Sequence, residues 1–350
     1  MPKYLLSDDG GRGERNDVTL AGINHKMGFR GTVNTAPVFG DGAFAPGGRH
    51  GAVGYLVGDL HGGLPVMFSM MNEARISVGL CATALGYTGY LKSLAYARER
   101  LQGRPAGASP TTAQVPIVAH PDVRRMLLAQ KSYVEGALAL SLFSARLVDD
   151  AATLTGVEAE DATRLLGLIT PIAKSWPSQW CLAANDLAIQ VMGGAGYTRD
   201  YDVEQHFRDN RLNPIHEGTH GIQALDLLGR KVLADGGVGL ALLASRILRT
   251  AERAAASGPD GAALAGHLKS ASVGWSARPS CSSRPTTGPL SWPKRPPTWR
   301  PPVTSSSPGS GSSNGSPRSV RRTPSTRASG WPPGTSSRAS CPGSITCWMC

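Results

Sequence analysis

One acid in the chain sits where chemistry could be done. Glu217 lies in Pro214-Ile215-His216-Glu217-Gly218-Thr219, and after Thr219 an apolar stripe of Ile222, Leu225, Leu228 and Val232 begins at helical spacing. Thr219 therefore reads as the N-cap of a helix running towards Ala234, with Glu217 in the loop that enters it. A carboxylate on a tight turn, with glycine beside it to admit a ligand, suits a base facing a carbon acid. Taken alone, a glutamate ahead of a helix is more often a solvated loop residue. Upstream lie Gln190-Val-Met-Gly193-Gly194-Ala-Gly-Tyr and Arg208-Asp209, the latter read as an ion pair bracing the loop. The glycine run is not a Rossmann fingerprint, because no strand precedes it and its spacing is wrong.

The elements that must position these residues are mostly helical. Residues 1–63 carry short β-prone runs at Asp17-Val-Thr-Leu, Val33–Phe39 and Ala52–Val57, separated by Gly-rich turns, and form too short a piece to close a sheet alone. From Leu64 the pattern becomes long amphipathic helices. In the first, which extends to about Arg100, Met67, Met70, Met71, Ala74, Val78, Cys81, Ala82 and Leu85 share a face. A second begins near Pro121, a good first-turn residue, and turns Val123, Met126, Leu127, Val134, Ala137 and Leu138 inward. A third covers Glu158–Met192, a fourth starts at Thr219, and Leu240–Ala256 is a fifth. The fold class is mainly α: an antiparallel helical bundle over 64–256, preceded by part of a β-domain over 1–63. Pro171 and Pro177 fall inside the third helix, where an interior proline costs about 3 kcal/mol, so a kink is expected before Gln190.

The ordered set Gly-Gly-x-Gly-Tyr, Arg-Asp, then Ile-x-Glu-Gly-Thr-x-Gly-Ile-Gln-Ala-x-Asp-Leu-x-Gly-Arg-Lys resembles the C-terminal signature of the acyl-CoA dehydrogenases, and within them the 3-methylmercaptopropionyl-CoA dehydrogenases and their relatives. The resemblance runs from about Tyr4 to Leu243. It implies FAD-dependent α,β-dehydrogenation of an acyl-CoA thioester, with a 3-methylthiopropanoyl-like acyl group as one candidate substrate. By match of motif, Glu217 is the catalytic base. Arg100, Gln190, Gly193 and Gly194 are the residues that reach FAD bound in a neighbouring subunit, and Gly218 and Thr219 lie beside the flavin of the same subunit. Arg75 stands near the CoA-facing mouth, with Asn72 in the register of its polar partner. Some members place the base on the first bundle helix just before an arginine. Here that residue is Ala74, and Glu73, about 100° round the helix, reads as a surface acid. His216 and His220 tune the pocket, and a protonated His216 would depress the pKa of Glu217. The resemblance further implies a homodimer or homotetramer, electron-transfer flavoprotein as acceptor, and a chain that starts midway through the β-domain and therefore binds FAD poorly. An acyl-CoA oxidase, or a non-catalytic relative with a nucleic-acid-binding tail, remain the alternatives.

The formal net charge of +11 does not describe the body of the protein. From Ser272 to Cys350 there are ten Lys plus Arg, no acid, 14 of the 26 prolines, five of the seven tryptophans, four of the six cysteines and 20 serines. The remaining 1–271 is nearly neutral, which argues against nucleic acid as a partner. Such a tail has too few aliphatic residues to offset its ordering entropy and is expected to be disordered, with 257–271 a linker or the start of an extension. Cys81 and Cys181 suit buried thiols in a reducing cytoplasm, and no run reaches the roughly 18 apolar residues of a membrane span. Ser, Arg, Pro, Trp, Cys and Gly are what a GC-rich gene yields out of frame, so the tail is read as a frameshift product starting near Lys269–Trp275. Translating the coding DNA in the other two frames from that point is expected to give an Ala/Leu-rich helical extension; two non-helical frames would contradict the reading.

Overall fold

The computed structural model describes residues 1–276, apart from the side chains at 64, 65, 68, 69 and 273–276. The expectation of a disordered basic tail therefore lies, beyond 276, outside the described residues. The first 40 residues form two antiparallel hairpins. Strand β1 (Tyr4–Leu6) pairs with β2 (Arg12–Arg15), and β3 (Val18–Ile23) pairs with β4 (Thr35–Phe39), with Val18 opposite Phe39. Ala52–Val57, read as β-prone, is not a strand: it finds no partner strand among the described residues, and Tyr55, Leu56 and Val57 are exposed. Buried polar side chains hold this region together in place of a sheet. Asn16 donates to the carbonyls of Pro2 and Val53 and accepts from the Val53 N–H, all at 2.8 Å, while the Asp17 carboxylate accepts from the N–H groups of Gly42 and Phe44.

Among the described residues eight α-helices follow: α1 (Gly63–Glu99), α2 (Pro121–Thr153), α3 (Gly156–Met192), α4 (Gly194–Tyr197), α5 (Val203–Asn210), α6 (His220–Asp226), α7 (Val238–Ala255) and α8 (Pro259–Ser276). The last occupies most of 257–271, the stretch read as a linker or the start of an extension. Helix α2 lies antiparallel to its neighbours, with Ser93 bonded to Gln130 and Gly136 against Trp176. Helices α1 and α3 consequently run parallel, pairing Gly79 with Ala173, Gly86 with Cys181 and Gly89 with Asn185. These glycines let the two backbones approach so closely that a Cβ on Gly79 would lie 2.0 Å from the Ala173 carbonyl oxygen.

That carbonyl explains how α3 survives its prolines. Pro177 has no N–H to give Ala173, and the carbonyl so released turns towards Gly79 rather than breaking the helix. Helix α3 is continuous through both prolines and carries Gln190 in its last turn. The apolar face predicted for α1 is buried only in part. Val78 and Ala82 reach the core, but Met67 and Met70 are exposed on the first two turns.

Two further expectations are corrected near the end of the bundle. The fourth helix runs towards Ala234 as expected, α-helical to Asp226 and π-type over Leu227–Lys231, and breaks at Asp235 and Gly236, which both have positive φ. Its apolar stripe is not core: Ile222, Leu225 and Leu228 are exposed, and the buried side chains of α6 are Gln223 and Asp226. Arg208 and Asp209 are not an ion pair. Arg208 pairs with Glu204 at 2.6 Å and donates to the Met27 carbonyl, while Asp209 accepts from the Phe29 N–H at 2.6 Å. Adjacent helical residues point about 100° apart, so each takes its own partner. Together they clamp residues 27–29 onto α5, which sequence reading missed.

Gly79→Ala is expected to lower the unfolding free energy by about 2 kcal/mol or more, because the obstacle is backbone and cannot rotate away. Gly266→Ala in α8, where a Cβ meets nothing within 4 Å, should raise it by about 0.5–1 kcal/mol. Urea midpoints of the two variants check both signs; equal shifts would contradict the packing described.

Candidate active site

Residues 211–219 make a run of turns between α5 and α6 that ends in left-handed backbone, with φ of 55° at Glu217 and 94° at Gly218. For a glutamate that conformation costs on the order of 1 kcal/mol or more, so it persists only if its surroundings impose it. Two donors from the interior do so. Lys174, fully buried on α3, donates from Nζ to the Gly218 carbonyl at 2.6 Å. Gln223, buried on α6, donates from Nε2 to the carbonyls of Glu217 at 2.9 Å and Gly218 at 3.3 Å. Across a trans peptide the N–H points opposite to the C=O. Holding both carbonyls from inside therefore turns the N–H groups of Gly218 and Thr219 away from those donors. Among the described residues, the N–H groups of 217, 218 and 219 have no protein acceptor.

Thr219 occupies the N-cap position of α6 as expected, with φ −64° and ψ 169°, but its side chain makes no capping bond. The next residue is anchored instead, with His220 Nδ1 lying 2.5 Å from the Ser175 hydroxyl. Glu217 is itself exposed, at the rim of a cavity of about 540 Å³ between the start of α1 and α6. Met67, Met71, Ile222 and Leu225 supply apolar wall, which is where the apolar stripe of α6 finds its use. Arg75, Asp226 and Arg230 supply the polar side.

The polar wall is an ion-pair network. Arg75 donates to Asp226 at 2.7 Å with side chains only 7 % and 4 % exposed, and Arg230 reaches the other carboxylate oxygen at 2.5 Å. Burial pushes the Asp226 carboxyl up, but the two guanidinium groups outweigh it and hold it below the usual range. Burial and the Lys174 charge push His216 down, against the pull of Glu217, so this imidazole is neutral near pH 7. The protonated His216 considered from sequence is not what the site holds. His220 is likewise lowered, first by burial and then by Lys174 and Arg211.

The structure brings Glu217, Gly218 and Arg75 to one cavity, with Thr219 next to it. Asn72 is half-buried, does not line it, and its side chain is given no hydrogen bond among the described residues; the partner of Arg75 is Asp226. Glu73 is exposed and also outside the cavity. Arg100 lies 25 residues beyond Arg75 on α1, roughly 37 Å along the helix. There it lines a second cleft of about 730 Å³ with Lys92, Met192 and Arg199, beside the α3 terminus that carries Gln190, Gly193 and Gly194. Gly193 has φ 59°, and a Cβ on either glycine would meet nothing within 4 Å. The proposed dinucleotide contacts therefore form a group of their own, separate from Glu217.

Residues 61–233 match the acyl-CoA dehydrogenase C-terminal domain. The chain belongs to the acyl-CoA dehydrogenase family. It is 37 % identical over 265 residues to the broad-specificity linear acyl-CoA dehydrogenase FadE5 of Mycobacterium tuberculosis, covering 74 % of this chain and 42 % of that protein. It is also 37 % identical over 237 residues to the 3-methylmercaptopropionyl-CoA dehydrogenase of Ruegeria pomeroyi, covering 68 % of this chain and 38 % of that one. The chain thus spans less than half the length of these curated relatives. The solved structure of Caenorhabditis elegans ACDH-11 with C11-CoA shares the fold, with TM-score 0.58 at 18 % identity over 73 % of this chain and 44 % of that one. Among the described residues, no helix is long and apolar enough to cross a membrane.

Sequence reasoning missed Lys174, and it gave no role to Gln223, Asp226 or Arg230. A signal existed for the first: a lysine between two prolines in the apolar run Leu168-Ile-Thr-Pro-Ile-Ala-Lys-Ser-Trp-Pro has no solvated face to occupy. Asp226→Asn should cost about 3 kcal/mol near neutral pH by leaving Arg75 buried without its counter-charge. Because the folded carboxyl is held low, its contribution is complete above the ordinary aspartate pKa of about 3.9 and fades as pH falls through the folded value. Urea midpoints of wild type and variant should converge below about pH 4, whereas a gap constant with pH would contradict the pairing.

Proposed function

We propose that this protein is an acyl-CoA dehydrogenase in which Glu217 removes the α-proton of an acyl-CoA thioester. The observation that carries the reading is the carboxylate at the mouth of a 540 Å³ cavity with methionine and branched aliphatic walls, beside a backbone N–H that no described protein group uses. A thioester α-proton is weakly acidic, so its removal needs a donor where the enolate-like oxygen forms. The Glu217 N–H suits that role, since it belongs to the residue carrying the base.

The residues present also fit FAD at two places. Arg100 and Arg199, facing one cleft beside the open Gly193–Gly194 turn, offer fixed positive charge and unobstructed backbone to a diphosphate. Gly218 and Thr219 offer outward N–H groups beside the base. Bound there, FAD would supply a two-electron acceptor for the β-hydrogen, and electron-transfer flavoprotein would receive the electrons. As one group lies by Arg75 near the start of α1 and the other by Arg100 at its far end, each completes a different flavin site, which calls for a homodimer or homotetramer. Free Cys81 and Cys181 agree with a cytoplasmic setting. The substrate is an unbranched acyl group, alkyl or 3-methylthiopropanoyl, since flexible Met67 and Met71 adapt to either.

Glu217→Gln should reduce deuterium exchange at the α-carbon of a straight-chain acyl-CoA in heavy water by about 10²–10⁴-fold. Glu73→Gln should leave that rate unchanged. Wild-type-like exchange by the Glu217→Gln variant would overturn the assignment.

A further inference from the structure

We propose that Lys174 is a positioning residue for the base: its buried ammonium aims the Glu217–Gly218 turn through the Gly218 carbonyl. This rests on the assignment of Glu217 above. The geometry is specific. Lys174 is fully buried between Pro171 and Pro177, and the structure gives its three donors one hydrogen bond, to the Gly218 carbonyl oxygen at 2.6 Å. A buried ammonium with so few partners is costly, and leucine or methionine would fill the volume more cheaply. The stem is thus committed to presenting a charge beneath one turn.

The charged and titratable groups facing Lys174 come from three directions: Arg75 from α1, Glu217 and His216 from the preceding turns, and His220 at the start of α6. Burial drives the Lys174 ammonium down to about 8, opposed by the Glu217 carboxylate and reinforced by Arg75. The two imidazoles are both lowered and so uncharged near neutrality, which leaves Glu217 as the anion that Lys174 faces. Removing the ammonium takes away one of the two donors behind the positive φ of Glu217. Gln223 remains as the second donor, so the turn loosens rather than collapses.

The test combines α-deuterium exchange of a straight-chain acyl-CoA with amide NMR of Gly218 and Thr219, using the full chain and the variants Lys174→Met and Lys174→Arg. Lys174→Met should lose exchange by tenfold or more near pH 7, while Lys174→Arg, which keeps a buried cationic donor, should restore it in part. In the wild type, the two amide resonances should titrate with a midpoint near 8, and neither variant should show that inflection. A folded Lys174→Met with wild-type exchange would overturn the proposal. If neither variant folds, the wild-type resonances decide, and no inflection between about pH 7 and 9.5 overturns it. Absence of exchange in the wild type itself would strike the assignment of Glu217 instead.

Discussion

The site depends on two hydrogen bonds given from the interior to consecutive carbonyls. Lys174 and Gln223 hold the peptides after Glu217 and Gly218 with their oxygens inward, and peptide planarity then sends the paired N–H groups outward. The left-handed φ of Glu217 follows from the same constraint. The base and two outward N–H groups beside it are thus set by one local arrangement. The remaining framework serves to bring α3, α6 and the start of α1 to that turn.

Helix α6 shows the consequence most plainly. Its buried side chains are polar, Gln223 beneath the turn and Asp226 against Arg75, and two of its apolar side chains face the cavity. This inverts the usual amphipathic helix. Buried area does not hold such an element well, so it is tied by charge and hydrogen bonds: Arg75 and Arg230 to Asp226, and Ser175 to His220. The α1–α3 contact compensates nearby. Its glycine stripe gives a close, rigid interface from which both Arg75 and Lys174 project.

Much of this was legible in the sequence. The periodic runs before Arg100, after Pro121 and through Met192 declare three long helices, and α1, α2 and α3 fall within a few residues of those bounds. The motif around Glu217 announces its turn because Gly218 and a cap residue flank it. What was not legible has physical causes. The stripe Ile222-Leu225-Leu228 has core periodicity, but period says nothing about whether an apolar face meets protein or a ligand space. Prolines in α3 read as kinks because the acceptor orphaned by Pro177 finds its place only through a glycine nearly a hundred residues earlier. Arg208 and Asp209 looked like partners because they are adjacent, though helix geometry separates them. Lys174 stayed hidden because its partner is a backbone oxygen 44 residues away.

The most direct measurement is a crystal structure of the protein with a straight-chain 3-thia-acyl-CoA, which keeps the thioester carbonyl but has sulfur in place of the β-carbon. The account predicts the acyl group between Met67, Met71 and Ile222, its α-carbon about 3–3.5 Å from the Glu217 carboxylate, and its carbonyl oxygen on the Glu217 N–H. An acyl group lodged elsewhere, or a Glu217 turned away while the cavity is filled, would contradict it.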